Sequence, residues 1–462
     1  GPVKKLDVVG DVNATGDERT WNYSYAVDTY DWFLDRRARE TLLDANNNTV
    51  RETKYYYDDQ GFEGILDKGA LSKVERWHDA GNHSFSYFEY DEWGNVVRQT
   101  DSLGNSMGFS FDATHTYPSA SVNALGHVTH FKYDLRFGNL ISTEKNGIQT
   151  FFQYDTFGRV VKEIQPLDTS SSPTKSYNYS FDGVAPESEQ VFLKTTANKT
   201  EKVSYYYDGF AQLVQLKNTI EDERQIAKNI FYDSTGRVKA EQNPYFTTYD
   251  SGISSISASD VYTNYTYDSV DRVIQVRNTD GSLKNVTFNQ WNITDYDENG
   301  HKHQYLLDSR GQITAVLEFV QDPILGANET FYTGYEYDDN GNLVQITDNE
   351  GNLFGFTYDS LSRKTAMDDP DMGVWQYFYD TNGNLVLQND SRGRATKLGY
   401  DAINRIMTKN TTYLNTTFAY DVEYDGTLFS ITTNNTNITY HYDQRFRVIN
   451  ETKRIEGVNF EN

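Results

Sequence analysis

Along most of the chain apolar and polar residues alternate in short runs, as in Phe354-Gly355-Phe356-Thr357-Tyr358 and Asn384-Leu385-Val386-Leu387-Gln388. A period of two marks a strand that turns one face to its neighbours and the other to water. The runs are separated by clusters that start with Asp and reach Gly three residues later, such as Asp380-Thr381-Asn382-Gly383 and Asp348-Asn349-Glu350-Gly351. In such a cluster the Asp carboxylate accepts from backbone N–H groups further on, and the Gly takes a positive φ without steric cost. The pattern therefore predicts an all-β chain of consecutive hairpins. No stretch approaches the roughly 18 apolar residues of a membrane span.

The hairpins repeat. From Tyr337 to Tyr358, Tyr379 and Tyr400 the spacing is 21 residues each time, every Tyr being followed by Asp. The fullest copies read Tyr90-Asp91-x-x-Gly94, Tyr154-Asp155-x-x-Gly158, Tyr337-Asp338-x-x-Gly341 and Tyr379-Asp380-x-x-Gly383. Others start at Tyr57, Phe111, Tyr133, Tyr207, Tyr232, Tyr267, Tyr420 and Tyr442, with degenerate ones at Phe181, Phe288 and Leu307. Roughly seventeen units result, far above the three or so a stable array needs. One hairpin is marginal in water, so neighbouring units are expected to pair edge to edge in a continuous antiparallel sheet. The array is expected over 49–456, with an N-terminal flank or cap over 1–48 and a short tail over 457–462. Insertions near 165–175, with Pro166, and 242–260, with Pro244, are expected on the surface at strand connections, where extra length costs little entropy.

Composition narrows the architecture. Hydrophobic residues make up 37% of the chain, yet 36 tyrosines and 26 phenylalanines bring the aromatic share to 15%. Large rings with little aliphatic material suit a thin sheet better than a thick dry core. The formal net charge of −25 argues against a nucleic-acid partner, which needs a basic stripe. Cysteine is absent, which for a secreted chain leans towards a bacterial or archaeal source. The start, Gly1-Pro2 in place of Met, reads as the residue of tag removal, so a longer natural protein is expected.

The pattern Tyr-Asp-x-x-Gly-[Arg/Asn]-[Leu/Val], with an Asp-x-x-Gly-Asn half-turn between copies, resembles the YD/Rhs repeat family. That family includes bacterial Rhs and wall-associated proteins, the cocoon subunits of insecticidal toxin complexes and teneurin ectodomains. The resemblance implies a strip of sheet wound spirally into a hollow shell or tube. It also implies two roles to choose between: an extracellular or cell-surface scaffold or adhesion module, or the cocoon of a toxin whose cargo lies outside this chain. Toxin-carrying members close their shell with a self-cleaving segment containing paired Asp-Pro-type motifs. Only Asp369-Pro370-Asp371-Met372-Gly373 is similar, without the second motif.

Asn-x-Ser/Thr acceptors for N-glycosylation are dense. They lie at Asn13, Asn22, Asn47, Asn82, Asn178, Asn198, Asn264, Asn285, Asn292, Asn328, Asn389, Asn410, Asn415, Asn434, Asn437 and Asn450. Asn and Thr also suit turns and strands, so part of this is compositional; the remainder points to a secreted or cell-surface glycoprotein.

Candidate chemistry is thin. Asp338-x-Asn340-x-Asn342 and Asp380-x-Asn382-x-Asn384 open like a calcium loop but lack its sixth-position Gly and its twelfth-position acid, so turn capping is the expectation and calcium the outlying alternative. His301-x-His303 places two imidazoles on one strand face, and His127 and His130 on opposite ones, with no third ligand for zinc. Arg36-Arg37-Ala38-Arg39 reads as a solvated charge cluster rather than a processing site. The aromatic excess suggests sheet packing more than sugar stacking, and turn aspartates are a poor source of a hydrolase's carboxylate pair. No residue is assigned to catalysis, a cofactor or a metal. Expected partners are other domains of a larger chain, with cell-surface proteins or glycans as further candidates.

Overall fold

A computed structural model describes residues 2–8, 18–29, 32–64, 66–78, 82–196, 199–220, 224–248, 252–254, 261–321 and 328–461. Among them 39 strands form one sheet, every pairing is antiparallel, and no residue is helical. Pairing follows chain order, from Lys5–Val8 against Arg19–Asp28 to Val448–Ile455 against Val458–Glu461. Strands Arg19–Asp28 and Phe33–Leu43, ahead of the first Tyr-Asp unit, continue the same sheet. One departure occurs at strand Arg224–Tyr232, whose single edge is shared. Ile230 pairs with Glu241 of Val238–Gln242, and Ala227 pairs with Tyr245 of Tyr245–Thr248. The partner is one strand interrupted at Pro244, which cannot donate to a ladder.

The wall is one sheet thick. The accessible surface is 27305 Å², whereas a compact domain of this mass would expose roughly 18,000 Å². Few hydrophobic side chains are buried, and half of those are alanines. A small local core forms where Ala26, Ala38 and Leu66 meet Phe33, Tyr57 and Phe62. Elsewhere alternation sets two faces. In Gly373–Tyr379 the rings of Trp375, Tyr377 and Tyr379 are half-buried on one face, while Val374, Gln376 and Phe378 are exposed on the other.

Each Tyr-Asp hairpin carries a bulge. Phe378 pairs with Leu387 but Tyr379 with Leu385, leaving Val386 unpaired. The same shift falls at Tyr90, Tyr154, Tyr337, Tyr400 and Tyr442. Most half-turn hairpins have none: Thr347, Ile346 and Gln345 pair in step with Leu353, Phe354 and Gly355, whereas shifts do fall at Leu42/Leu43 and Lys194/Thr196. In a meander the two kinds of turn lie on opposite rims. A bulge bends its strand and raises the local twist, so bulges recurring in nearly every repeat, mostly on the Tyr-Asp rim and absent at the degenerate Phe181 and Phe288 copies, curl the strip.

Candidate functional site: the repeat turn and the seam between windings

Every Tyr-Asp turn is closed by its own aspartate. Asp91 Oδ1 accepts from the N–H groups of Trp93 (3.0 Å) and Asn95 (2.9 Å), and its Oδ2 from Asn95 Nδ2 (3.0 Å). Asp380 is bonded in the same way by Asn382 and Asn384, and Asp338 by Asn342. Where the sequence has Arg in place of Asn, the guanidinium substitutes: Asp155 accepts from the N–H of Arg159 (3.0 Å) and from its Nε (2.7 Å). The residue three beyond the Asp sits in the left-handed region, with φ of 87° at Gly94, 79° at Gly158, 87° at Gly341 and 92° at Gly383. Ser362 and Asn404 hold the same position with φ of 63° and 64°.

These bonds favour the charged carboxylate. The Asn352 side-chain amide holds Asp348 below the usual range. The Arg136 guanidinium brings Asp134 down to about 2. At Asp155 partial desolvation pushes upward, and the N–H and side chain of Arg159 outweigh it.

The Tyr joins one repeat to the one before. The Tyr379 hydroxyl donates to Lys364 O (2.9 Å), that of Tyr400 to Leu385 O (2.9 Å) and that of Tyr420 to Ile406 O (3.0 Å). Tyr90, Tyr154 and Tyr337 bond likewise to Leu71, Leu140 and Ile313. The accepting residue opens the second strand of the preceding unit. The motif Arg adds a second link: Arg405 pairs with its own Asp401 (2.7 Å), lies 4.3 Å from the Tyr420 ring centre, and reaches Asp421 of the next unit (2.5 Å).

The strip then meets itself. Asn382 Nδ2 donates to Asp101 Oδ2 (2.6 Å), and Ser360 Oγ to Trp77 O (2.9 Å). Asn146 Nδ2 donates to Asp425 O (3.4 Å), and Asp425 N to Asn146 Oδ1 (3.1 Å). His127 Nε2 lies 3.4 Å from Asp421 Oδ2. Near the start, Arg19 donates to Asp338 O (2.6 Å) and lies 3.7 Å from Asp339. Most of these partners are separated by 279 to 283 residues, which is the length of one circuit. In each case the Tyr-Asp rim of the later winding rests on the half-turn rim of the earlier one. The strongest clamp is Asp168, whose side chain is 2% exposed and which pairs with Lys194 (2.6 Å) and with Arg445 (2.6 Å) of the next winding. Burial pushes its carboxyl up, but bonds from Lys194 and Thr174 hold it below the usual value.

Both insertions bear on this geometry, which differs from the plain surface loops expected. The first carries Asp168, and Pro166 O accepts from Arg445 Nε (2.8 Å). In the second, strand Tyr245–Thr248 joins the sheet and residues 252–254 lie on it: Gly252 O accepts from Lys217, and Ser254 exchanges bonds with Gln215. Gln215 and Lys217 beneath residues 252–254 are fully buried, as is Gln225 on the neighbouring strand. Such buried polar side chains are tolerated only when hydrogen-bonded, and residues 252–254 supply partners to the first two.

Other residues singled out from sequence are dispersed. His301 bonds its own turn residue Asp297 (2.8 Å), and His303 lies 3.7 Å from Asp295. The basic run is in strand Phe33–Leu43, with Ala38 buried, Arg37 over Tyr23 and Arg39 over Phe62. Asp369 accepts from the N–H groups of Asp371 and Met372. Asn13 and Asn198 lie outside the described residues, as does the side chain of Asn328. The seam itself had no sequence signal, since its partners come together only after a full circuit.

The family model described as RHS Repeat matches residues 337–371. A search of curated protein sequences gives no match. Among solved structures, the crystal structure of TcdB2-TccC3 superposes with a TM-score of 0.80 at 14% identity, over 95% of this chain and 30% of that one. The Photorhabdus luminescens Tc holotoxin pore gives 0.81 at 13% identity, over 98% and 32%. The likeness is one of fold, and the chain spans about a third of the length of these structures.

Proposed function

For a chain built of YD/Rhs repeats in the fold of the toxin-complex shells, we propose a non-catalytic role as wall material of an extracellular or cell-surface scaffold. The observation that carries this is the seam. The chain returns on itself after some 280 residues and seals rim to rim through Asn382–Asp101, Asn146–Asp425 and Arg445–Asp168. A wall one sheet thick offers little core in which to desolvate a catalytic pair, and the aspartates of its turns are already committed to N–H groups. Partners on this reading are the flanking parts of a longer chain, together with surface proteins or glycans.

The fit to TcdB2-TccC3 favours a second reading, in which the wall encloses a cargo segment encoded beyond this chain. Protease protection of the full-length natural protein separates the two. A scaffold yields no protected segment outside the array, and antibodies to the array label intact cells. A cocoon yields a segment that resists protease until the shell is denatured. Full digestion of the array itself under native conditions contradicts both.

A further inference from the structure

The tyrosines of the Tyr-Asp motif define one face of the wall, Tyr87, Tyr206, Tyr262 and Tyr332 lying on the other, and the glycosylation acceptors can be placed against it by register. Asn178 and Asn264 sit an odd number of residues from Tyr179 and Tyr267 in the same strands, and so point the other way. Asn389 pairs with Gln376, three residues before Tyr379, and Asn410 with Lys397, three before Tyr400. Asn415 pairs with Asn410, and Asn437 lies five before Tyr442. Asn285 pairs with Gln275, itself opposite Thr266, and Asn292 pairs with Asn289 on that same face. Asn450 pairs with His441, and Asn22 with Thr41, which pairs in turn with Glu52 of the strand ending at Tyr57. Every strand acceptor whose side chain is described is thus on the face away from the motif tyrosines. Where the strand runs on past the Asn, as at Asn178, Asn264 and Asn437, the Ser or Thr two residues on shares that face.

A merely polar face does not account for this, because the same face carries Phe378 and Val374, exposed at 45% and 50%. Exposure also orders the two faces. On a curved single-layer wall side chains converge on the concave side and splay on the convex one. In Gly373–Tyr379 and Leu353–Tyr358 the tyrosine side is the crowded one, whereas in Lys199–Tyr207, Leu213–Thr219 and Arg224–Tyr232 the opposite face is buried, with residues 252–254 bonded to it. Asn178, Asn264, Asn410, Asn415 and Asn437 are exposed.

We infer that the face opposite the tyrosines is the outer face of the shell and is N-glycosylated along its strands, while the tyrosine face lines the interior. The donor is a lipid-linked oligosaccharide diphosphate used by the host's transferase. The Asn Nδ2 bonds to C1 of the first sugar, and the C1–O bond breaks with its electrons leaving on the lipid diphosphate. One amide proton passes to the transferase's base. The glycans would form a hydrated coat on a wall that otherwise exposes aromatic and aliphatic side chains.

The test is to secrete the chain from an N-glycosylating eukaryotic cell and release glycans with an amidase in ¹⁸O water, mapping the labelled sites by mass spectrometry. The expected result is label at Asn178, Asn264, Asn410, Asn415 and Asn437 in most molecules; bare asparagine at all five overturns the proposal. Sidedness is read from two acceptors built on the tyrosine face, Lys453→Asn with Ile455→Thr and Thr396→Asn with Leu398→Thr. Each is compared with its Gln counterpart, Lys453→Gln with Ile455→Thr and Thr396→Gln with Leu398→Thr. The Asn forms are expected either to be secreted bare or to be retained where the Gln forms are secreted. Secretion of either Asn form glycosylated to the level of Asn410 overturns the assignment of the interior.

Discussion

At the scale of single residues the Tyr, the Asp and the Gly of the motif do separable work. The Tyr hydroxyl makes one bond to a carbonyl of the preceding unit, so Tyr379→Phe removes the donor to Lys364 O and leaves the ring. A loss of about 1 kcal/mol is expected, read as a shift in urea midpoint with an unchanged m-value. Gly383 has a φ of 92° and open space where a Cβ would stand. Gly383→Ala should therefore cost about 1 kcal/mol from backbone strain alone, whereas Ser362→Gly, at the equivalent position with a φ of 63° and an exposed side chain, should be neutral or slightly stabilising.

The aspartates set the acid limit. At several of the turn aspartates, Asp348, Asp401 and Asp134 among them, the folded value lies below the unfolded one. Such groups contribute stability that is complete above the unfolded carboxylate value of about 3.9 and is lost as pH falls through the folded values. Asp339, pushed up by burial and by Asp44, acts in the opposite sense but is outnumbered. The thermal midpoint should hold down to about pH 4 and fall steeply from there towards pH 2; a flat profile to pH 2 would show that the turn bonds do not favour the charged form. The turn roles of Asp and Gly were legible because they act within five residues. The Tyr bond was not, because a period shows that units recur and not which atom of one touches the next.

At the scale of elements, alternation and turn clusters placed the strands well, since each strand is short and bounded by its own Asp-x-x-Gly. The bulges escaped notice. Val386, the extra residue, reads in sequence like any other member of an apolar strand. Yet they fall mostly on the Tyr-Asp rim and let the strip curl. The insertions also read only as interruptions, because a buried Asp168 announces itself through Lys194 and Arg445, which lie 26 and 277 residues away. Arg445→Met should leave Asp168 with Lys194 and the Thr174 hydroxyl. The expected cost is towards the low end of roughly 3–5 kcal/mol, the range for breaking a buried pair. Hydrogen exchange should rise selectively in 166–174 and 443–447; uniform exchange across the array would deny the clamp its local role.

At the scale of the whole molecule, stability is that of a linear array, in which each unit leans on its neighbours, with a seam added once per circuit. The array bonds are local in sequence and numerous, whereas the seam bonds are polar, few and distant. High salt should therefore loosen the exposed part of the seam before it affects the strands. The fold class was readable from the repeat, and the winding from the family resemblance. The circuit length was not, for it depends on the curl accumulated over many bulges.

The central claim is that the strip returns upon itself after about 280 residues, and the cysteine-free chain makes it directly testable. Cysteine pairs at Asp101 with Asn382 and at Asn146 with Asp425 should be joined within one molecule by a short bis-maleimide. A pair offset by half a circuit, Asp101 with Asp233, should not. Joining of both seam pairs, seen as a mobility shift under denaturing conditions and confirmed by the linked peptides, is the predicted result. Failure of both seam pairs to link, with all four cysteines reactive, would contradict the wound wall.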